Sequence, residues 1–414
     1  MTQKFNLMSD EMSDKAQILD FSPGKAEKKI ISHLNRFVVG QKRAKQRIAD
    51  ILLRRETGLR DSRRPLGVIF LLGPTGVGKT ELIKATADFL FGGLNDYTHI
   101  SCPNYQNGHE ISQLIGSPAG YIGSNQEPFL SQNNIDKHDF YHQMEAIENL
   151  EKEIREYGES INLGSPQQKE RIIKLIKRAE ALKNIIKNNR FYSLVLFDEF
   201  EKAHPKLQEI LLEILSDGAL SLITPSMSGK RVDFSNAIIA LTGNIASKEI
   251  REEISRSKIG FHSNSEVTEN FSKKIWKIVL ARLEKTFSPE ILGRIGKEGV
   301  VVCNFLNQEE MAKVLELQIE RLEERVEKSA KPFKLFICDG AKKFLLNETQ
   351  DRINISLGAR SLLNVFKKRI ENLLNKLLSK DKDEGGIAKG DVIEIRLNKN
   401  KGEEKLEFTR RVAK

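Results

Sequence analysis

Cysteine is scarce in this 414-residue sequence, and long hydrophobic runs are missing from it. The three cysteines (Cys102, Cys303 and Cys338) show no paired spacing, so neither a disulfide framework nor a zinc site is expected. The longest apolar runs, such as residues 66–72, have the length of a strand and are too short to cross a bilayer. Residues 1–20 lack the apolar core of a signal peptide. These absences favour a protein of a reducing compartment, the cytoplasm, with no membrane partner.

Neither sign of charge dominates the chain, although the balance is basic. Charged residues make up 30% of the sequence, and the formal net charge is +10. A basic excess can indicate binding to nucleic acid or to an acidic partner. Here, however, lysine and arginine are interleaved with glutamate along helix-like stretches, without an accompanying stripe of basic and aromatic residues. We therefore expect a solvated, lysine-rich surface, with nucleic acid as the less favoured partner.

The order of hydrophobic patterns predicts two folded domains behind a flexible arm. Residues 1–24 are polar and predict the arm. Residues 25–304 hold apolar strands separated by helices, which predicts a large α/β domain around a buried parallel sheet. Residues 305–414 alternate strands with helices, including long helices at 308–327 and 358–378. This last part predicts a smaller α+β domain.

Three apolar stretches predict strands of the large sheet: residues 67–72, 193–197 and 237–241. Each is followed by residues that can bind or activate a ligand: a glycine-rich turn, Asp198-Glu199, and Thr242-Gly243-Asn244. Ligands of parallel α/β sheets bind at the carboxyl ends of the strands. We therefore expect these three segments to form one site.

An interruption at residues 131–190 separates the first of these strands from the second. Apolar residues step by three and four from Phe140 to Tyr157 and again from Ile172 to Ile186, which predicts two amphipathic helices. Ser165 and Gln168 form a capping-box pattern at the start of the second helix. The pattern predicts a helical hairpin inserted into the large α/β domain. Two roles of the hairpin remain open: a passive solvated projection, or a contact surface for a partner or substrate.

The turn after the first strand carries the strongest chemical signal. It fits the phosphate-binding loop pattern and consists of Gly73, Pro74, Thr75, Gly76, Val77, Gly78, Lys79 and Thr80. The glycines let backbone N–H groups converge on phosphate oxygens at the start of a helix. Lys79 is expected to reach the β- and γ-phosphates of ATP, and the Thr80 hydroxyl to bind Mg²⁺.

The ends of the other two strands supply candidate partners for the phosphate loop. Asp198 is expected to hold magnesium, and Glu199 to polarise an attacking water. Asn244 could orient that water, although asparagine at a strand end is more often a turn residue. Arg294 and Arg360 are candidates to stabilise charge on the γ-phosphate, although either alone is more often a surface charge.

Taken together, the motifs resemble the second ATPase ring of the Clp family of AAA+ protein unfoldases, from about residue 30 to residue 410. The matching segments occur in family order: Val38 to Gln41, Gly73 to Thr80, Leu114 to Gly123, Leu194 to His204, Asn244, Phe287 to Arg294, and Gly358 to Arg360. The resemblance implies an AAA+ P-loop NTPase fold, with residues 305–414 as the small lid domain. It further implies that Val38 and Val39 flank adenine, that Asn244 and Arg360 are sensors, and that Arg294 reaches into a neighbouring subunit of a homohexamer.

The resemblance also implies two contacts with other polypeptides. Gly120, Tyr121, Ile122 and Gly123 match the loop that lines the family's central pore and grips polypeptide clients. Tyr121 offers a flat apolar face, and the flanking glycines let the loop swing. Ile259, Gly260 and Phe261 match a tripeptide that docks on a ClpP-like peptidase, although such a loop could instead fold onto its own domain.

We therefore expect a single-ring ATP-driven unfoldase, which either feeds a peptidase or releases remodelled clients. Clients would be recruited by the hairpin or by an adaptor, because no first ring or recruiting domain precedes the motor in this sequence. Two positions depart from the family: Gly243 stands where serine is usual, and Ile291-Leu292-Gly293 replaces a bulkier segment. The rival interpretations are a nucleic-acid-directed AAA+ ATPase, which the Gly-Tyr-Ile-Gly loop disfavours, and a non-catalytic scaffold, which Glu199 and Arg294 disfavour.

Overall fold

The computed structural model describes residues 22–121, 124–159, 166–188, 191–223, 231–256, 265–349, 358–381, 384–400 and 403–411. The predicted arm lies outside these ranges up to residue 21. The described strands are, in chain order, β1 (Gly67–Leu72), β2 (Thr98–Ser101), β3 (Ser193–Asp198), β4 (Ala219–Ser221), β5 (Arg231–Asp233), β6 (Ala237–Gly243), β7 (Val300–Val302), β8 (Lys334–Ile337), β9 (Val392–Asn400) and β10 (Glu403–Arg411).

The α-helices of the described ranges alternate with these strands. They are α1 (Lys25–Asn35), α2 (Lys42–Thr57), α3 (Lys79–Phe91), α4 (Ser112–Ile115), α5 (Gln132–Glu159), α6 (Pro166–Lys187), α7 (Pro205–Asp217), α8 (Ser247–Arg256), α9 (Ser265–Thr286), α10 (Pro289–Ile295), α11 (Gln308–Glu327), α12 (Asp339–Asn347), α13 (Ala359–Phe366) and α14 (Asn372–Leu378). Among the described residues, no helix combines the length and apolarity that a membrane span requires.

The central element is a five-stranded parallel sheet in the order β2–β3–β6–β1–β7. Its strands are buried because alternate side chains enter two separate apolar layers, one on each face. On β1, Phe70 and Leu72 enter one layer, and Ile69 and Leu71 enter the other. The predicted α/β class with a buried parallel sheet is thus confirmed, and the carboxyl ends of β1, β3 and β6 lie side by side.

The last part of the chain folds around a second, three-stranded sheet in the order β10–β9–β8. Helices α11 to α14 cover this sheet, and α11 has the predicted bounds because Asn307 and Glu310 form a capping box at its start. The predicted helix at 358–378 is correct in extent, but a π-helical turn at Lys367–Glu371 divides it into α13 and α14. A smaller α+β unit therefore follows the large sheet, as expected.

Helices α5 and α6 form the inserted hairpin, but its base is embedded in the α/β unit. Asp136 accepts a hydrogen bond from Ser193 Oγ at 2.8 Å, and Asp139 accepts one from the Tyr192 N–H at 2.7 Å. The more distal part is tied by surface ion pairs, Lys183–Glu151 at 2.7 Å and Arg171–Glu153 at 3.1 Å. Only the distal part is therefore a projection. The predicted capping serine, Ser165, lies outside the described residues.

Candidate functional site

A cavity of about 450 Å³ opens where the carboxyl ends of β1, β3 and β6 face the smaller unit. It brings together most of the site residues that the sequence suggested. These lining residues are Val38, Val39, Thr75, Gly76, Val77, Gly78, Lys79, Thr80, Asp198, Glu199, Asn244 and Arg360.

The turn between β1 and α3 has the backbone geometry of an anion cradle. Gly73, Gly76 and Gly78 all have positive φ, at 147°, 77° and 96°, which residues with a side chain rarely adopt. A side chain at Gly73 would also place its Cβ 2.7 Å from the Cys303 carbonyl oxygen. Because α3 begins directly after Gly78, its N-terminal N–H groups face the same cavity. The turn therefore suits a phosphate.

Lys79 is the buried cation of the site. Its Nζ donates to the carbonyl oxygens of Gly73 at 2.6 Å and Pro74 at 2.7 Å, and to Asn244 Oδ1 at 2.8 Å. Burial lowers the pKa of Lys79, while nearby carboxylates act in the opposite direction. The phosphate loop thus holds the ammonium group at the floor of the cavity. Gly73 and Pro74 do not line the cavity themselves, but their carbonyl oxygens fix the position of Lys79.

Asp198 is held at both carboxylate oxygens. Oδ1 accepts a hydrogen bond from the Thr242 hydroxyl, and Oδ2 lies 3.5 Å from His99 Nε2. The hydrogen bond from His99 contributes most to lowering the pKa of Asp198, and that from Thr242 adds to it. An ionised carboxylate that lines the same cavity as Thr80 fits a divalent cation. Because the described residues contain no group of three or more acidic, histidine or cysteine side chains that could hold a metal ion, such a cation would need further oxygens from phosphate and water.

Glu199 has an unusual backbone conformation. Its φ of 55° and ψ of 49° lie in the left-handed region, which costs energy for a residue with a side chain. The Glu199 N–H donates to Thr242 Oγ1 at 3.1 Å, and Oε2 pairs with Lys202 Nζ at 2.6 Å. Thr242 therefore orients both acidic residues, a role that the sequence did not assign to it.

Asn244 is fixed between the phosphate loop and the turn that follows β3. Its side-chain oxygen accepts from Lys79, and its backbone N–H donates to Glu201 Oε1 at 3.0 Å. The other oxygen of Glu201 occupies the space beside Gly243, 3.0 Å from where a Cβ at that position would lie. The glycine that replaces the usual serine thus accommodates the Glu201 carboxylate.

The smaller unit supplies the opposite wall. Arg360 lines the cavity, and the preceding residue, Ala359, donates its N–H to the Gly76 carbonyl at 3.0 Å. Gly358 permits this approach because its φ is 55° and a Cβ there would lie 3.0 Å from the Gly76 oxygen. The phosphate loop and the lid wall are therefore in direct contact at the backbone level.

Arg321 of α11 is a site residue that the sequence did not reveal. It lines the cavity, pairs with Glu81 Oε1 at 3.1 Å and donates to the Phe37 carbonyl at 3.2 Å. Val314, Leu317, Gln318 and Arg321 recur by three and four along α11, so they share one face of the helix. The spacing could have indicated that these residues share one face of α11, but it does not indicate which ligand or domain that face contacts.

Two predicted functional residues do not line this cavity. Arg294, in α10, is exposed and does not line the cavity of its own chain. Tyr121 is 69% exposed and follows Gly120, whose φ is 89°. Ile122, Gly123 and the tripeptide Ile259 to Phe261 lie outside the described residues.

The loop that carries Tyr121 has an ordered base. Phe129 donates its N–H to the Gln113 carbonyl at 2.9 Å, and Leu130 donates to Leu114 at 3.0 Å. Leu114 and Leu130 are fully buried in one apolar layer of the large sheet. The loop therefore leaves the core and returns to it at one point, with Tyr121 exposed between its ends.

Two family matches divide the chain between the unit of the large sheet and the unit of the three-stranded sheet. The family described as "AAA domain (Cdc48 subfamily)" matches residues 64–142 and 142–298. The family described as "C-terminal, D2-small domain, of ClpB protein" matches residues 306–395. The first match alone covers more than half of the chain.

Curated relatives agree with these matches. The chain is 32% identical over 367 residues to the chaperone protein ClpB of Oceanobacillus iheyensis, which covers 88% of this chain and 36% of the relative. It is 30% identical over 345 residues to ClpC, the ATP-binding subunit of the ATP-dependent Clp protease, of Staphylococcus aureus strain USA300, covering 83% and 34%. The chain thus spans about a third of the length of these relatives.

Two solved structures of Hsp104 share the fold. One is a closed state with ATPγS and FITC-casein, with a TM-score of 0.64; the other is the S. cerevisiae casein complex in an extended conformation, with a TM-score of 0.66. Each is 24% identical to this chain, covering 94% of it and 53% of the Hsp104 chain. From the family matches, the curated relatives and the phosphate-loop cavity, we conclude that the chain belongs to the Clp family of AAA+ ATPases.

Proposed function

We propose that this chain is an ATP-driven protein unfoldase, which threads polypeptides through the pore of a homohexameric ring. The observation that carries the proposal is the convergence of Lys79, Asp198, Glu199 and Asn244 on one cavity beside the phosphate loop. The ClpB and ClpC relatives, one named a chaperone and the other a subunit of an ATP-dependent protease, support a polypeptide substrate.

In the nucleotide site, Val38 and Val39 would flank adenine, and the backbone of residues 73–80 would hold the phosphates. Thr80 and Asp198 would hold Mg²⁺, which supplies positive charge to the phosphate oxygens. Lys79 would exchange the loop carbonyls that it now contacts for β- and γ-phosphate oxygens. The site thereby gathers positive charge where negative charge develops during hydrolysis.

Glu199 would polarise the attacking water, and Asn244 would orient it. Because Lys202 pairs with Oε2 of Glu199, the other carboxylate oxygen, Oε1, would be the one to accept a hydrogen bond from the water. Arg360 would approach the γ-phosphate from the lid. Arg294 would do so from the neighbouring subunit, because it is exposed and does not line the cavity of its own chain.

Tyr121 would grip the client. Its exposed ring can hold side chains of any kind through apolar contact, and its loop is anchored at residues 113–114 and 129–130. A rigid base transmits motion of the sheet to the loop, whereas Gly120 gives the tip freedom. With Ile122 and Gly123 this residue would form the pore loop.

Hydrolysis is tested with Glu199→Gln, which preserves the shape of the side chain and removes its basicity. ATP should bind with the parental affinity, whereas turnover should fall at least about 100-fold, as the loss of a general base does. Glu180→Gln on the exposed face of the hairpin is the matched control and should leave turnover unchanged. Undiminished hydrolysis by Glu199→Gln would remove Glu199 from this role.

The same variant also identifies the partners, because it traps clients in the presence of ATP. A peptidase recovered with it from native extract, and lost with Phe261→Ala, would make this chain the unfolding half of a protease through Ile259, Gly260 and Phe261. Polypeptide clients without a peptidase would indicate a free-standing remodelling chaperone, with recruitment by the hairpin or an adaptor. Recovery of mainly nucleic acid with this variant would contradict the proposal that the substrate is a polypeptide.

A further inference from the structure

Gln41 lies directly before α2, at the end of the segment Val38 to Gln41 that borders the cavity. Its backbone is left-handed, with φ 51° and ψ 39°, and its side chain is buried at 8% exposure. A polar residue that is both buried and strained needs a structural reason, since either feature alone costs free energy. The reason lies in what its carboxamide contacts.

The Gln41 carboxamide joins two segments that are distant in sequence. Its Nε2 donates to the Val77 carbonyl of the phosphate loop at 3.2 Å and to the Asn304 carbonyl at 2.9 Å. Its Oε1 accepts from the Asn304 N–H at 3.0 Å. Asn304 belongs to residues 303–307, which connect β7 of the large sheet to α11 of the smaller unit; we call this segment the linker. One side chain therefore holds the phosphate loop and the linker together.

The contact with Val77 has a consequence for anion binding. In a trans peptide the C=O and N–H groups point in opposite directions. Holding the Val77 carbonyl towards Gln41 therefore turns the Gly78 N–H to the other side, and Gly78 lines the cavity. The preceding peptide is held in the same way, because Ala359 donates to the Gly76 carbonyl at 3.0 Å. Two successive loop amides are thus oriented from outside the loop.

We propose that Gln41 is a positioning residue, which orients the Gly78 amide for the β-phosphate and couples the phosphate loop to the linker. The inference rests on the nucleotide site proposed above. A nucleotide that carries a β-phosphate should then order the linker, whereas a nucleotide without one should not. A merely structural role, in which Gln41 only fastens α2 to the core, predicts lower stability with no selective effect on β-phosphate binding.

The test compares Gln41→Met with Gln46→Met in the full chain. Methionine matches glutamine in length and lacks its hydrogen-bonding groups, so it leaves the Val77 and Asn304 carbonyls without this donor. Gln46, in the adjoining helix α2, donates hydrogen bonds from its carboxamide to Glu27 and Asp50, which makes it the control. Affinities for fluorescent ADP and AMP are measured on protein shown to be folded by circular dichroism.

We expect Gln41→Met to weaken ADP binding about tenfold or more and to change AMP binding less than about threefold, as the loss of one or two buried hydrogen bonds to the loop implies. Gln46→Met should retain both affinities. Equal losses for ADP and AMP, or none, would overturn the proposal. If the parental chain itself does not prefer ADP to AMP, the nucleotide site is wrong, which is a separate failure.

A second measurement needs no substitution and covers the case in which Gln41→Met does not fold. Hydrogen–deuterium exchange of the parental chain is followed at residues 73–80 and at the linker with ADP, with AMP and without nucleotide. ADP should slow exchange in both segments. AMP should slow exchange less than ADP does in each of them. Protection of the phosphate loop by ADP without any change in the linker would contradict the coupling.

Discussion

The nucleotide cavity and the inserted hairpin are built in opposite ways. In the cavity, single side chains bridge segments far apart in the chain, as Lys79 does to Asn244 and Gln41 does to Asn304. In the distal hairpin, the ties are exposed ion pairs such as Lys183–Glu151, and Ile173 is 52% exposed. Buried, hydrogen-bonded groups fix a geometry, whereas exposed ion pairs contribute little.

The difference indicates where this chain needs rigidity. Phosphate chemistry depends on donors held in place before the ligand arrives. Lys79, Asp198, Glu199 and Asn244 each have a hydrogen-bond partner distant in sequence. The distal hairpin needs no such precision for hydrolysis. Substitutions near the cavity, and at Arg294, which the proposed ring places in the neighbour's cavity, should therefore have large effects on ATP turnover. Substitutions in the distal hairpin should have small effects on it.

The largest effect is expected for Arg294→Ala, because the proposed ring places this arginine in the neighbour's cavity. Turnover should fall at least about 1,000-fold, as for other arginine fingers, with ATP affinity retained. Arg155→Ala, which removes an exposed arginine of the hairpin, is the control and should have no effect.

Mixing two inactive proteins tests whether Arg294 acts between subunits. In rings of Arg294→Ala and Glu199→Gln chains, some interfaces pair an intact Glu199 with an intact Arg294, so part of the turnover should return. An arginine that acted within its own chain would give no recovery at any ratio.

An intermediate effect is expected at the base of the hairpin, where it meets the sheet. Burial raises the pKa of Asp136 to about 6, although hydrogen bonds from Gln132 and Ser193 oppose the shift. Because the folded state then binds this proton more tightly than the unfolded state, the contribution of Asp136 to the free energy of unfolding should rise as pH falls from about 6 to about 4. The full contribution is at most about 3 kcal/mol.

Asp136→Asn should remove this contribution, measured by urea unfolding of variant and parent between pH 4 and pH 7.5 as the pH dependence of the difference between their free energies of unfolding. At pH 7.5 the variant should be at least as stable as the parent, because it no longer buries a charge. Asp217→Asn, at an exposed ion pair with Arg231, should keep the parental slope. An unchanged slope in Asp136→Asn would show that another group causes it.

The smallest effect is expected for Lys183→Ala in the distal hairpin. Loss of its exposed ion pair with Glu151 should lower the free energy of unfolding by less than about 1 kcal/mol. ATP turnover should remain at the parental level. A large loss of turnover would break the contrast between the two regions and would mean that the hairpin controls the motor.

The sequence predicted those parts of the structure that local patterns determine. Strand β1, the phosphate loop and α3 were identified because one short segment carries the whole signal, and α11 was identified from its hydrophobic period. Strands β2 and β7 were missed because they have four and three residues and lie at the sheet edges. Arg321, Thr242 and Gln41 act through partners distant in sequence, which no local pattern reveals.

The coupling of hydrolysis to polypeptide movement is the central claim, and Tyr121 tests it most directly. Tyr121→Ala and Tyr121→Phe are compared on a stable folded protein that carries an unstructured tail, with ATP turnover and unfolding measured together. Both variants should hydrolyse ATP at the parental rate. The phenylalanine variant should unfold the client, and the alanine variant should not, because only an aromatic ring grips the chain. Unfolding by Tyr121→Ala at the parental rate per ATP would contradict the account.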